Sequence, residues 1–125
     1  MNPNLKKTLS IIKHCYNTLD DKKAIDIKVL KLIGKSNITD YFIIATGTSD
    51  PHLRALKNAL EKNLHELELK NIRVNYAPDS GWVVIDGFDF MVHLFLGEQR
   101  EFYGLENLWK DAEVVDINQI PPLTP

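Results

Sequence analysis

The chain reads as a single α/β domain, a mixed sheet of about five strands with flanking helices. Three observations predict this. Two stretches repeat leucine and isoleucine at three- and four-residue steps, several short runs are apolar, and a strand-like, a helical and a second strand-like run follow one another. With 125 residues the chain suits one core. Its hydrophobic fraction of 44% and charged fraction of 26% are ordinary for a folded protein, which excludes disorder of the whole chain.

Leu5, Leu9, Ile12, Tyr16 and Leu19 form one apolar stripe, so a helix is expected to end near Asp20. In Ala24 to Leu32, Ile25, Ile27 and Val29 alternate with Asp26 and Lys28, the mark of a strand with one wet face. Gly34, Ser36 and Asn37 signal a turn. Tyr41 to Thr46 is apolar on both faces, as a central strand is. Thr48-Ser49-Asp50-Pro51 then supplies a capping residue and a proline for a helix start, followed by Leu53, Leu56, Leu60, Leu64 and Leu67. Ile72 to Ala77 reads as a short strand, completing a parallel crossover. Trp82 to Asp86 and Phe90 to Leu96 read as a hairpin around Asp86-Gly87-Phe88-Asp89. Glu98 to Trp109 reads as one or two short helices. The expected domain spans residues 1–115, and residues 116–125, with Pro121, Pro122 and Pro125, are expected to be a loose tail.

A turn at Gly87-Phe88 pairs Ile85 with Phe90, Val83 with Val92 and Trp82 with His93. One face then carries Val83, Ile85, Phe90, Val92 and Leu94, which is core. The other carries Trp82, Val84, Met91, His93 and Phe95. Two readings of it stand open: a helix covers it, or part of it is an exposed patch for a protein partner, where such residue types are enriched.

Charge bears on that choice. The net charge is -2, whereas a chain that wraps nucleic acid by itself carries a basic excess, so little or no direct nucleic-acid binding is expected. Residues 98 to 116 hold six acids and two bases, a local balance of -4. An acidic segment beside aromatic residues suits a basic protein partner, with a solvated helix face as the alternative. Cys15 has no second cysteine to pair with and is read as a small buried residue in a reducing compartment. No signal peptide and no membrane span are apparent, and a cytoplasmic location is expected.

Several motifs carry a resemblance. They are Ala24-Ile25-Asp26-Ile27, then Thr39-Asp40-Tyr41-Phe42-Ile43-Ile44-Ala45-Thr46-Gly47-Thr48-Ser49, then Ser80-Gly81-Trp82-Val83-Val84-Ile85-Asp86. Most specific is Val92-His93-Leu94-Phe95 followed by Arg100-Glu101-Phe102-Tyr103-Gly104-Leu105-Glu106-Asn107-Leu108-Trp109. In order and spacing these resemble the Iojap/RsfS family of ribosomal silencing factors. The resemblance implies a nucleotidyltransferase-like topology and no enzymatic activity. It also implies binding to ribosomal protein L-fourteen on the large subunit, which blocks association with the small subunit and represses translation. A monomer on the ribosome, and a homodimer in some free members, are implied as well. Organellar relatives act in large-subunit assembly, which makes assembly the alternative role. The chain departs from the common pattern at Phe90-Met91, bulkier than usual, and at Pro78-Asp79-Ser80, where many members carry Glu-Gly.

Nucleotidyl transfer is the enzymatic rival. Gly47-Thr48-Ser49, between a strand and a helix, offers backbone amides to a phosphate. That chemistry also needs paired carboxylates for magnesium, and Arg73 to Ala77 on the next strand contains no acid. Gly47 is therefore read as a turn residue. His14, His52, His65, His93 and Cys15 show no metal-ligand spacing, so no catalytic residue, metal or cofactor is assigned. The expected partner-binding residues are Trp82, Phe95 and Tyr103 as aromatic anchors, Met91, His93 and Arg100 beside them, and Glu98, Glu101 and Glu106 facing basic side chains. Leu105, Leu108 and Trp109 are spaced as a core-facing helix side.

Overall fold

A computed structural model gives the fold over residues 3–77 and 79–120. In chain order it contains α1 (Pro3–Asp21), β1 (Ile25–Lys31), β2 (Tyr41–Gly47), α2 (Asp50–Glu66), β3 (Arg73–Tyr76), β4 (Trp82–Asp86) and β5 (Phe90–Leu96). There follow α3 (Gly97–Tyr103), α4 (Leu105–Leu108), β6 (Glu113–Val114) and a 3-10 turn at Ile117–Gln119. The six strands form one mixed sheet in the order β3-β4-β5-β2-β1-β6. Only β2 and β5 pair in parallel; the other neighbours are antiparallel. The crossover from β2 through α2 reaches β3 at the far edge, and β4 and β5 then fill the gap.

Helices α1 and α2 cover one sheet face. Ser49 caps α2 by accepting from the His52 N–H at 3.2 Å, and Pro51 sits in the first turn, where its missing N–H costs nothing. Leu53, Leu56, Leu60 and Leu64 of α2 are buried against Ile11, Ile12, Cys15 and Leu19 of α1 and against Val83, Ile85, Phe90, Val92 and Leu94. Truncating any one of those leucines would cost about 2–5 kcal/mol. The α1 stripe is turned slightly from the expected one: Thr8, Ile11, Ile12, Cys15 and Leu19 are buried, while Leu5, Leu9 and Tyr16 flank them half-buried. Burial keeps Cys15 a neutral packing residue, its thiol pushed up to about 12 by desolvation.

Five further features differ from the expectation. In β1, Ile25 pairs with Thr46 but Lys28 pairs with Ile44, so the strand holds one extra residue, with Asp26 at φ 55°. The bulge breaks the simple alternation and leaves Ile25 exposed, while Val29 and Leu30 are buried on opposite faces. The hairpin turns at Phe88-Asp89, one residue later than expected: Gly87 donates to the Phe90 carbonyl at 2.9 Å, and Asp86 Oδ1 accepts from the Phe88 N–H at 2.9 Å. Phe88, not a glycine, takes the positive φ of 77° that the turn demands. Gly87 is needed for space instead, since a Cβ there would lie 2.4 Å from the Phe90 ring. A sixth strand, β6, was not expected, because its two residues carry no periodic signal. Residues 116–120 are not loose: Asp116 caps the 3-10 turn, Ile120 is buried, and its carbonyl accepts from Lys13 Nζ at 2.8 Å. The rest of the expected tail, 121–125, lies outside the described residues.

Candidate docking face

The second sheet face carries a smaller cluster: Leu30, Leu32, Phe42, Ile44, Phe95 and Ala112 are buried there, with Trp82, Met91, Leu105 and Trp109 half-buried around them. Its aromatic centre is built by the β4–β5 register. Trp82 pairs directly with Phe95, and their rings stack at 5.2 Å and 23°. His93 lies diagonally across and its Nδ1 accepts the Trp82 indole N–H at 3.2 Å. The Phe42 ring meets His93 edge-on at 4.6 Å. Burial alone lowers the His93 pKa to about 4, so its imidazole is neutral at physiological pH.

Helix α3 brings the exposed part of the face. Its last residue, Tyr103, lies 4.4 Å from the Trp82 ring and is 46% exposed. Phe102 packs edge-on against Tyr103 at 5.2 Å and is 82% exposed. Gly104, at φ 58° and ψ 37°, ends α3 with a left-handed residue and redirects the chain into α4. A polar clasp holds this corner. Arg100 donates through Nε to Glu106 at 2.7 Å and through Nη1 to Thr46 Oγ1 at 2.8 Å, and Lys28 Nζ meets the other Glu106 oxygen at 2.8 Å. The Arg100 hydrogen bond holds the Glu106 carboxyl below its ordinary value, with burial opposing and Lys28 assisting. The clasp thus ties α3 and α4 to β1 and β2.

The residues singled out from the sequence divide into two groups. Trp82, Met91 and Tyr103 reach the surface of this face, and Glu98 and Glu101 are exposed on α3. Phe95 and His93 are buried, 1% and 4% exposed, so they form the floor beneath Trp82 rather than contact surface. Arg100 and Glu106 pair with each other, because α4 folds back beside α3 and brings them together across six positions. Helices α3 and α4 therefore cover the floor of the face and leave a rim exposed. Leu105 and Trp109 pack on the cluster, but Leu108, read as core, is 72% exposed because α4 lasts only a single turn. Phe102, Lys28 and Thr46 were missed. Arg100 and Tyr103, three positions apart, share the helix side that meets the sheet, and Phe102 stands about 100° away.

At the rival phosphate position two backbone amides are engaged within the chain. The Thr48 N–H donates to His52 Nδ1 at 2.9 Å and the His52 N–H to Ser49 Oγ. A Cβ at Gly47 would meet Leu53 Cδ2 at 2.9 Å, so tight packing accounts for the glycine. Asp86 closes the hairpin turn through its carboxylate.

Comparison with known proteins gives the family. A family profile described as "Ribosomal silencing factor during starvation" matches residues 5–124. The chain is 34% identical over 109 residues to the ribosomal silencing factor RsfS of Bacillus subtilis, covering 87% of this chain and 92% of that protein. It is 34% identical over 94 residues to mitochondrial assembly of ribosomal large subunit protein 1 of Mus musculus, covering 73% of this chain and 41% of that one. The crystal structure of a Chromobacterium violaceum protein superposes with a TM-score of 0.75 at 31% identity, covering 80% of this chain and 83% of that one. A profile match over nearly the whole chain and a relative covered almost end to end show that the chain belongs to the ribosomal silencing factor family.

Proposed function

We propose that this protein docks on the large ribosomal subunit through ribosomal protein L-fourteen, prevents association with the small subunit and so represses translation. The observation that carries the reading is the rim of Trp82, Tyr103 and Phe102, with the exposed carboxylates of Glu98 and Glu101 beside it. Aromatic anchors on a face whose helix also exposes carboxylates fit a basic protein surface, and Trp and Tyr are among the residues most enriched at binding hot spots. The mechanism is steric. A 14.3 kDa body on the subunit face occupies space that the small subunit needs, and no bond is made or broken. The protein acts in the cytoplasm, as a monomer on the subunit.

Sucrose-gradient sedimentation tests this. Purified subunits are mixed with excess protein under joining conditions. The expected result is a loss of the joined peak, with the protein comigrating with the large subunit. Full joining in its presence refutes the reading. The name of the mouse relative favours a second role, in large-subunit assembly. In that case the protein comigrates with immature large particles and not with mature ones.

A further inference from the structure

We infer that His93 is a positioning residue for docking: through Nδ1 it holds the Trp82 indole in one orientation on the sheet face. This rests on the docking reading above and adds the device that presets its central anchor.

Three observations carry it. First, His93 touches no solvent of consequence, being 4% exposed, so it cannot itself meet a partner. Second, it sits in an apolar slot, 4.6 Å from the Phe42 ring and 6.1 Å from that of Phe95. A leucine would fill that slot without burying polar atoms, and the His93 Nε2 has no hydrogen-bond partner among the described residues. The polar side chain is accounted for by the single bond it makes, to the indole N–H at 3.2 Å. Third, that bond does what the neighbouring rings do not. Stacking on Phe95 and the tilted contact with Tyr103 hold the plane of the indole but tolerate its being flipped over about the Cβ–Cγ bond. A hydrogen bond is directional and selects one orientation. An anchor held in its bound orientation loses less conformational freedom on association. Because an indole nitrogen only donates, Nδ1 must be the bare nitrogen and the His93 proton must sit on Nε2.

The test uses the full chain and purified large ribosomal subunits. His93→Leu removes the acceptor, and His93→Asn returns an oxygen near the place of Nδ1. Binding is read by cosedimentation, and the Trp82 indole N–H by its nitrogen-15 correlation signal, assigned with Trp82→Phe. His93→Leu is expected to shift the indole signal and to weaken binding roughly 3- to 10-fold, the range of one neutral hydrogen bond, and His93→Asn to restore both in part. Equal binding by wild type and a folded His93→Leu overturns the role of His93. Should His93→Leu fail to fold, the wild-type protein decides: a proton on Nδ1, or a Trp82 indole proton that exchanges as fast as a solvent-exposed one, overturns it. Failure of the wild type to bind large subunits overturns the docking reading instead, whatever the indole signal does.

Discussion

Removing Arg100 should loosen the corner that carries the exposed aromatics, by an amount the structure bounds. The Arg100 side chain is 10% exposed, Glu106 32% and Lys28 42%. A fully exposed ion pair is worth about 0–1 kcal/mol, and breaking a fully buried one costs about 3–5 kcal/mol. The Arg100–Glu106 pair lies between these limits, so its coupling should be about 1.5 kcal/mol. Arg100→Met keeps most of the stem and should cost about 2 kcal/mol, because it also removes the bond to Thr46 while relieving a buried Nη2 that has no partner among the described residues. Lys28 should add about 0.5 kcal/mol or less, as surface pairs do. The assay is a double-mutant cycle in urea at pH 7 with Arg100→Met, Glu106→Gln and both together. A coupling below about 0.5 kcal/mol would refute the clasp as a stabilising unit.

The coupling should also depend on pH with a fixed sign. The hydrogen bond from Arg100 holds the folded Glu106 below its ordinary 4.5, so on acidification the unfolded chain takes up the proton first. The stabilisation is therefore whole above about 4.5, declines below it, and is gone once the pH has passed below the lowered folded value. A cycle repeated at progressively lower pH should show the coupling vanish in that direction and not as pH rises.

Three further outcomes are expected. Trp82→Ala should weaken retention by large subunits by about 2 kcal/mol, some 30-fold, in a protein that still unfolds cooperatively; undiminished retention by cosedimentation would remove Trp82 from the interface. His93 is depressed by burial from 6.5 to about 4, so wild-type stability should fall as pH drops through that window, by at most about 1.4 kcal/mol per unit, and His93→Leu should flatten that slope in urea titrations. Gly87→Ala should cost about 1–3 kcal/mol by forcing the buried Phe90 ring to move, and an unchanged melting temperature would argue against that contact.

The elements most legible in the sequence were those with a repeating local signal. The leucines of α2 and the apolar run of β2 each mark an element whose neighbours lie a turn or a residue away. The hairpin is instructive because its expected register was two residues out along the strand: Trp82 pairs with Phe95, not His93. The assignment of faces survived, since side chains alternate with a period of two and a two-residue slip leaves each on its own side. The positive φ at Phe88 was not legible, because a bulky aromatic rarely adopts it, and the Asp26 bulge was not, because an aspartate in an alternating run does not mark an extra residue.

At the candidate docking face the division is sharper. The residue types and the acidic bias were readable, as was the side of the sheet each hairpin residue occupies. How deep each one lies was not. Phe95 and His93 are buried because α3 and α4 return over them, and Arg100 meets Glu106 because Gly104 turns the chain between them. Periodicity along a strand or helix is local, so sequence alone determined the helices, the central strand and the two faces of the hairpin. Whether a face is floor or surface depends on segments distant in the chain that come to cover it, and only the tertiary structure decided that.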